Sequence, residues 1–144
     1  MTKPIVVAVD GSDAGRRAVA HAAELASGAG ASLVIAHILE WSPYSFLTQE
    51  ELAERHKRRE QELARAETAL VSPLIAELAA KGLSARAAIR YGHVAETLVE
   101  IAKAEGASQI VTGRTGAGGL SARLFGSVAG TLAQIAPVPV TIVP

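Results

Sequence analysis

The chain has 144 residues, in the range of one domain, and 49% of them are apolar, enough for a sizeable core. Its 14 Lys and Arg balance 14 Asp and Glu, which argues against a broad nucleic-acid surface and a polybasic membrane anchor. Aromatics are 3% and cysteine is absent, so single-strand stacking platforms, disulfides, thiol nucleophiles and thiolate metal sites are excluded.

Met1-Thr2-Lys3-Pro4 runs directly into Ile5-Val6-Val7-Ala8-Val9, a β-branched run that reads as a buried strand. No stretch approaches the roughly 18 apolar residues of a membrane span, so a cytoplasmic protein without a signal peptide is expected. Asp10-Gly11-Ser12-Asp13 is a turn from which Ser12 or Asp13 can cap a helix through Leu25 or Ala26. Ala18, Ala22, Leu25 and Ala26 share its inner face, and Gly28 and Gly30 stop it. Ser32 to Ile38 is the second strand. A looser stretch, Trp41 to Phe46, precedes a charged helical region from about Thr48 to Lys81, where Pro73 starts a new helix or kinks the old one.

Ser84 to Arg90 is the third strand, Tyr91-Gly92-His93 a turn, and Val94 to Ala104 a helix closed by Gly106. The fourth strand is Gln109 to Thr112. A glycine-rich loop, Gly113 to Gly119, leads to a helix around Ser127 to Ile135, and Val138 to Val143 is the last strand. This βα alternation defines an α/β fold: a single domain with an open five-stranded parallel sheet and helices on both faces, Rossmann-like. A reversal of winding after the third strand sets the fourth beside the first, order 3-2-1-4-5. The loops after Val9 and Thr112 then face each other across the switch-point crevice, where ligands of such sheets bind.

The chemistry sits in the second of those loops. Gly113 and Gly116 are followed by nine residues and then Gly126-Ser127. Glycine leaves the backbone open to a phosphate, and Gly126-Ser127 at a helix start offers free N–H groups and a partial positive charge. An ordinary loop with an N-cap has the same composition.

With Val9-Asp10-Gly11-Ser12 after the first strand and Gly92-His93-Val94-Ala95-Glu96 after the third, the whole chain resembles the universal stress protein family. The spacing G-x2-G-x9-G-[S/T], met by Gly113, Gly116, Gly126 and Ser127, is that of the family's ATP-binding branch. The resemblance implies the same sheet order and a bound ATP with Mg held mostly by phosphate and water. It implies that Asp10 faces the adenine or ribose, that Ile38 and Ala8 pack on the adenine, and that Gly113 and Gly116 let ribose and phosphates lie against the main chain. Gly126, Ser127 and the N–H of Val128 would hold the phosphates. Ala129 departs from the hydroxyl residue of many nucleotide-binding relatives, which removes one hydrogen bond.

Among the rest, Asp13 reads as a helix N-terminal charge, and Arg114 and Arg123 as either γ-phosphate contacts or solvated side chains. His21, His37, His56 and His93 show no metal-ligand spacing. His37 reads as a satisfied strand residue, His93 as a turn or cap residue, and His21 and His56 as exposed. The run Arg55 to Arg59 is interleaved with glutamates and reads as a solvated helix face with i,i+4 pairs such as Glu51–Arg55 and Glu54–Arg58. Trp41, Tyr44 and Phe46 form either a rim of the crevice or a loop packed on the core. Pro139 marks the last strand as an edge, and pairing of residues 138–143 with a second copy would cover it. The family commonly forms homodimers that way.

The leading expectation is therefore an ATP-binding stress-response protein that controls a protein partner, with no catalytic residue and no resident metal site. The alternatives are a slow ATPase and a dimeric interaction module without nucleotide. Hydrolysis would need a positioned water and a general base, and no Walker-type Gly-Lys-Ser/Thr is present.

Overall fold

The computed structural model describes residues 2–40, 48–114 and 121–144, with backbone only for 121–127. Strands β1 (Ile5–Ala8), β2 (Leu33–Leu39), β3 (Ala85–Tyr91), β4 (Gln109–Gly113) and β5 (Val140–Val143) form one parallel sheet in the order β3-β2-β1-β4-β5. The winding reverses after the third strand, as the sequence predicts. Registers Ile5↔Leu33 and Ile5↔Gln109 place β1 at the centre, where Val6 and Val7 are fully buried on opposite faces.

The helices are α1 (Asp13–Ala29), α2 (Gln49–Ala66), α3 (Ser72–Ala80), α4 (Val94–Glu105) and α5 (Ser121–Ile135). Ile5, Val7, Leu33 and Ile35 meet the alanine stripe of α1 (Ala18, Ala22, Ala26) and Leu78 of α3. Val6, Val34 and Ile110 meet Leu98 and Ile101 of α4 and Leu132 of α5. The period-2 alternation of the strands thus divides the side chains between two layers.

Several boundaries differ from the sequence expectation. Helix α1 continues through Gly28 to Ala29, because the left-handed residue that ends it is Gly30 at φ 68°, whose N–H bonds the Ala26 carbonyl. Before Pro73 the chain makes a π-helical turn, Glu67–Val71, closed by the Ser72 N–H on the Glu67 carbonyl. Proline has no N–H for the carbonyl four residues back and its ring crowds it, and the wider turn absorbs both defects. Strand β5 starts at Val140 rather than Val138. Pro139 cannot donate to a ladder, although its carbonyl still accepts from Ile110 N–H at 3.0 Å.

Helix α2 buries none of its residues. It meets the end of β3 through the Tyr91 hydroxyl, which donates to Glu62 Oε2 at 2.5 Å, and through the Arg59 guanidinium, 4.9 Å from the Tyr91 ring centroid. Its outer face carries the pairs Glu54–Arg58 and His56–Glu60, the solvated face expected of that run. No helix among the described residues is long and apolar enough to cross a membrane.

Candidate functional site

The loop after β1 is built on its own hydrogen bonds. Val9 donates to the Ala36 carbonyl at 2.9 Å, and the chain then turns through Gly11 at φ 85°. Asp10 Oδ1 accepts from Ser12 N at 3.0 Å and from Ser12 Oγ at 2.5 Å. Ser12 Oγ in turn accepts from Gly15 N at 3.0 Å and caps α1. Of the two capping candidates in the sequence, Ser12 is the cap, and Asp13 adds a favourable charge to the first turn. One Asp10 oxygen is therefore engaged in shaping the turn, while the other is held in place by the first. Gly15 is bare for the same reason: a Cβ there would stand 3.2 Å from Asp10 Oδ1.

Ala8, Ile38 and Val128 pack against one core layer. All three are half-buried against the sheet face covered by α4 and α5. Register Ala8↔Ala36 sets Ile38 two residues beyond the end of β1, on the same face as Ala8. His37, one residue earlier, lies on the opposite face.

Gly113 pairs with Val143 at the end of β4. A Cβ at Gly113 would lie 3.0 Å from the carbonyl carbon, Cβ and oxygen of Ala14. Its bareness admits the first turn of α1, which brings the ends of β1 and β4 together as the switch point requires. Arg114 is exposed and donates its backbone N–H to the Val143 carbonyl at 2.7 Å. Gly116 and the Trp41–Phe46 segment lie outside the described residues, as does the Arg123 side chain.

Gly126 and Ser127 do not open the last helix. Helix α5 begins at Ser121, which puts them in its second turn with Val128 following. Amides from the fifth helical residue onward bond carbonyls four residues back, so these N–H groups belong to the helix interior. The reason is propensity: Ala122, Arg123, Leu124 and Phe125 contain no breaker, and helix propagation tolerates one glycine for about 1 kcal/mol. Ala129 is 2% exposed, so a hydroxyl at that position would need an internal partner.

Of the histidines, His37 is satisfied as expected, with Nδ1 2.7 Å from the Val9 carbonyl. His93 holds the N-cap position of α4 without a side-chain cap bond. His56 is exposed, whereas His21 is half-buried rather than exposed because it borders the inner stripe of α1. No cluster of three or more metal-ligating side chains occurs among the described residues.

A doubly wound sheet that reverses its winding between β1 and β4 sets the ends of those two strands side by side, at the switch point where ligands of such sheets bind. The Universal stress protein family profile matches residues 1–144, and the chain belongs to that family. A Thermus aquaticus relative, described as the universal stress protein in the QAH/OAS sulfhydrylase 3′ region, is 34% identical and covers 99% of each chain. The solved universal stress protein UspA from Lactobacillus plantarum superposes with a TM-score of 0.83 at 25% identity, covering 99% of this chain and 97% of its own. A universal stress protein solved in complex with cAMP has a TM-score of 0.66 at 26% identity, with 99% and 97% covered.

Proposed function

We propose that this chain binds ATP, accompanied by Mg, in the crevice between the ends of β1 and β4. We further propose that it acts in the cytoplasm as a stress-response regulator whose nucleotide state is read by a protein partner. The observation that carries the reading is that Ala8, Ile38 and Val128 pack on one sheet face while hydrogen bonds fix the Asp10 carboxylate in the loop that follows β1. In this reading the adenine packs on Ala8 and Ile38, and the free Asp10 oxygen meets the base or ribose. The main chain at Gly113 and Gly116 lies along the ribose and phosphates. The relative solved with cAMP supports an adenine nucleotide as the ligand class.

Phosphate capture by Gly126, Ser127 and Val128 requires their amides to leave the helix, so binding comes with a later start of α5. That same geometry favours a second reading, a dimeric interaction module that needs no nucleotide. In both readings the partner copy pairs along residues 138–143, where Ile142 is 40% exposed on an edge strand.

Isothermal titration of nucleotide-stripped protein with Mg-ATP tests the first reading. Saturation near one nucleotide per chain is the expected result. Absence of binding, repeated by a second method, refutes it and leaves the interaction module.

A further inference from the structure

The loop that presents Asp10 leaves the core at Val9 and borders open space beyond it. Between α1 and α3 lies a cavity of about 220 Å³, to which Val9, Gly11, Ser12 and Gly15 contribute lining. What fixes the loop must then be hydrogen bonding. Val9 N–H makes the last ladder bond to β2, and its carbonyl belongs to the next rung, where the chain has begun to turn away. Among the described residues, the donor that reaches this carbonyl is the His37 ring, at 2.7 Å from Nδ1. A carbonyl only accepts, so Nδ1 carries the proton, and both the neutral and the protonated ring preserve the bond.

His37 is itself well anchored. The last β1–β2 pair is Ala8↔Ala36, but β2 continues against β3 through His37↔Ile89 to Leu39↔Tyr91. The ring is therefore carried by a strand still held on its other side and cannot follow the loop. Because the peptide unit is planar, fixing the Val9 carbonyl also fixes the direction of the Asp10 N–H. The Asp10 carboxylate is tied at its other end by Ser12.

We propose that His37 is a positioning residue of the nucleotide site: it clamps the Val9–Asp10 peptide so that the Asp10 oxygen left free by Ser12 points at the ligand. The role rests on the nucleotide reading above and adds a residue that touches no ligand itself. The adjacent Ile38 packs on the opposite sheet face, so one dipeptide of β2 serves both that apolar face and the acid.

The test uses the full chain and the substitutions His37→Leu, which removes the donor at similar size, and His37→Asn, which restores an N–H near Nδ1. In Mg-ATP titrations, His37→Leu is expected to weaken binding about tenfold and His37→Asn by no more than about twofold. In the ligand-free protein, amide hydrogen exchange at Ser12 and Gly15 is expected to quicken about fivefold in His37→Leu only. In an Asp10→Ala background, His37→Leu is expected to cause no further loss of affinity, because it acts through that carboxylate. Full additivity with Asp10→Ala, His37→Asn as poor as His37→Leu, or unchanged exchange and affinity in His37→Leu would each overturn the role. Wild-type protein that binds no Mg-ATP refutes the nucleotide reading and the role with it. Wild-type binding that His37→Leu leaves intact removes the role alone.

Discussion

Replacing Gly113 by alanine separates two reasons for a glycine at the end of β4. If the position is bare only to admit a ribose or phosphate, the ligand-free protein tolerates a methyl group. The structure supplies a different neighbour, because the new Cβ would stand 3.0 Å from three atoms of Ala14. Two of them are backbone atoms in the first turn of α1, where Ala14 is 3% exposed and the Ser12 cap fixes the helix start. Non-bonded carbons prefer about 3.5–4.0 Å, so α1 or β4 must retreat by roughly half an ångström or more. Overpacking of this kind costs about 1–3 kcal/mol. At about 2.1 cal/mol/K per residue, 144 residues give an unfolding entropy near 0.3 kcal/mol/K, so a loss of about 2 kcal/mol lowers Tm by roughly 6–7 °C. Gly28→Ala is the control: it is also a glycine-to-alanine change, but lies inside α1 with nothing within 4 Å. It should gain about 1 kcal/mol from helix propensity. Urea unfolding of both ligand-free variants, with calorimetry alongside, reads the two signs. A Gly113→Ala protein within about 0.5 kcal/mol of wild type, but weakened in nucleotide binding, would refute the packing argument.

Gly92→Ala should be worse still, by about 3 kcal/mol, since φ is 151° and the new Cβ would overlap Oγ1 of buried Thr97; a small change in the urea midpoint would contradict this. Burial, reinforced by the hydrogen bond to Glu62, pushes the Tyr91 phenol from 10.0 up to about 12. The folded chain thus holds that proton more tightly than the unfolded one. Its contribution to stability is complete below pH 10 and is lost as pH rises from 10 towards 12. Urea midpoints across that window should slope less in Tyr91→Phe than in wild type, and equal slopes would show that Tyr91 carries no linkage. Ile142→Lys should turn the proposed dimer into a monomer in size-exclusion chromatography with light scattering. A dimer that persists would place the contact on another surface.

The strand order was legible because both kinds of information agreed. Apolar runs of strand length alternated with capped helical stretches, and two loops rich in Gly, Ser and Asp could meet only at one reversal point. Ala8 and Ile38 enter through the family resemblance, and register with strand alternation accounts for their sharing one sheet face. The start of α5 was not, since a Gly-Ser pair reads as a helix opening whether or not the four residues before it also favour helix. At Gly113 the glycine spacing points to a ligand beside the main chain, and the fold adds a neighbour about a hundred residues away in sequence, a helix turn that no local pattern announces. His37 was read correctly as satisfied, but its acceptor, the last carbonyl of a neighbouring strand, emerges only once β1 and β2 are in register. Pro73 announced a disturbance without saying that a wider turn would absorb it.

That wider turn has a rotational consequence. A π turn fits one surplus residue into a helix, because its five residues take up about the rotation that four take in an α-helix. The roll of α2 relative to α3 is set by that count, and it is the roll at which Arg59 and Glu62 meet Tyr91. The 18 residues of α2 therefore keep nearly the phase relative to α3 that a helix shorter by one residue would give them. The turn is thus a place where the chain carries one residue more than the helical path requires, while Arg59 and Glu62 still arrive at Tyr91.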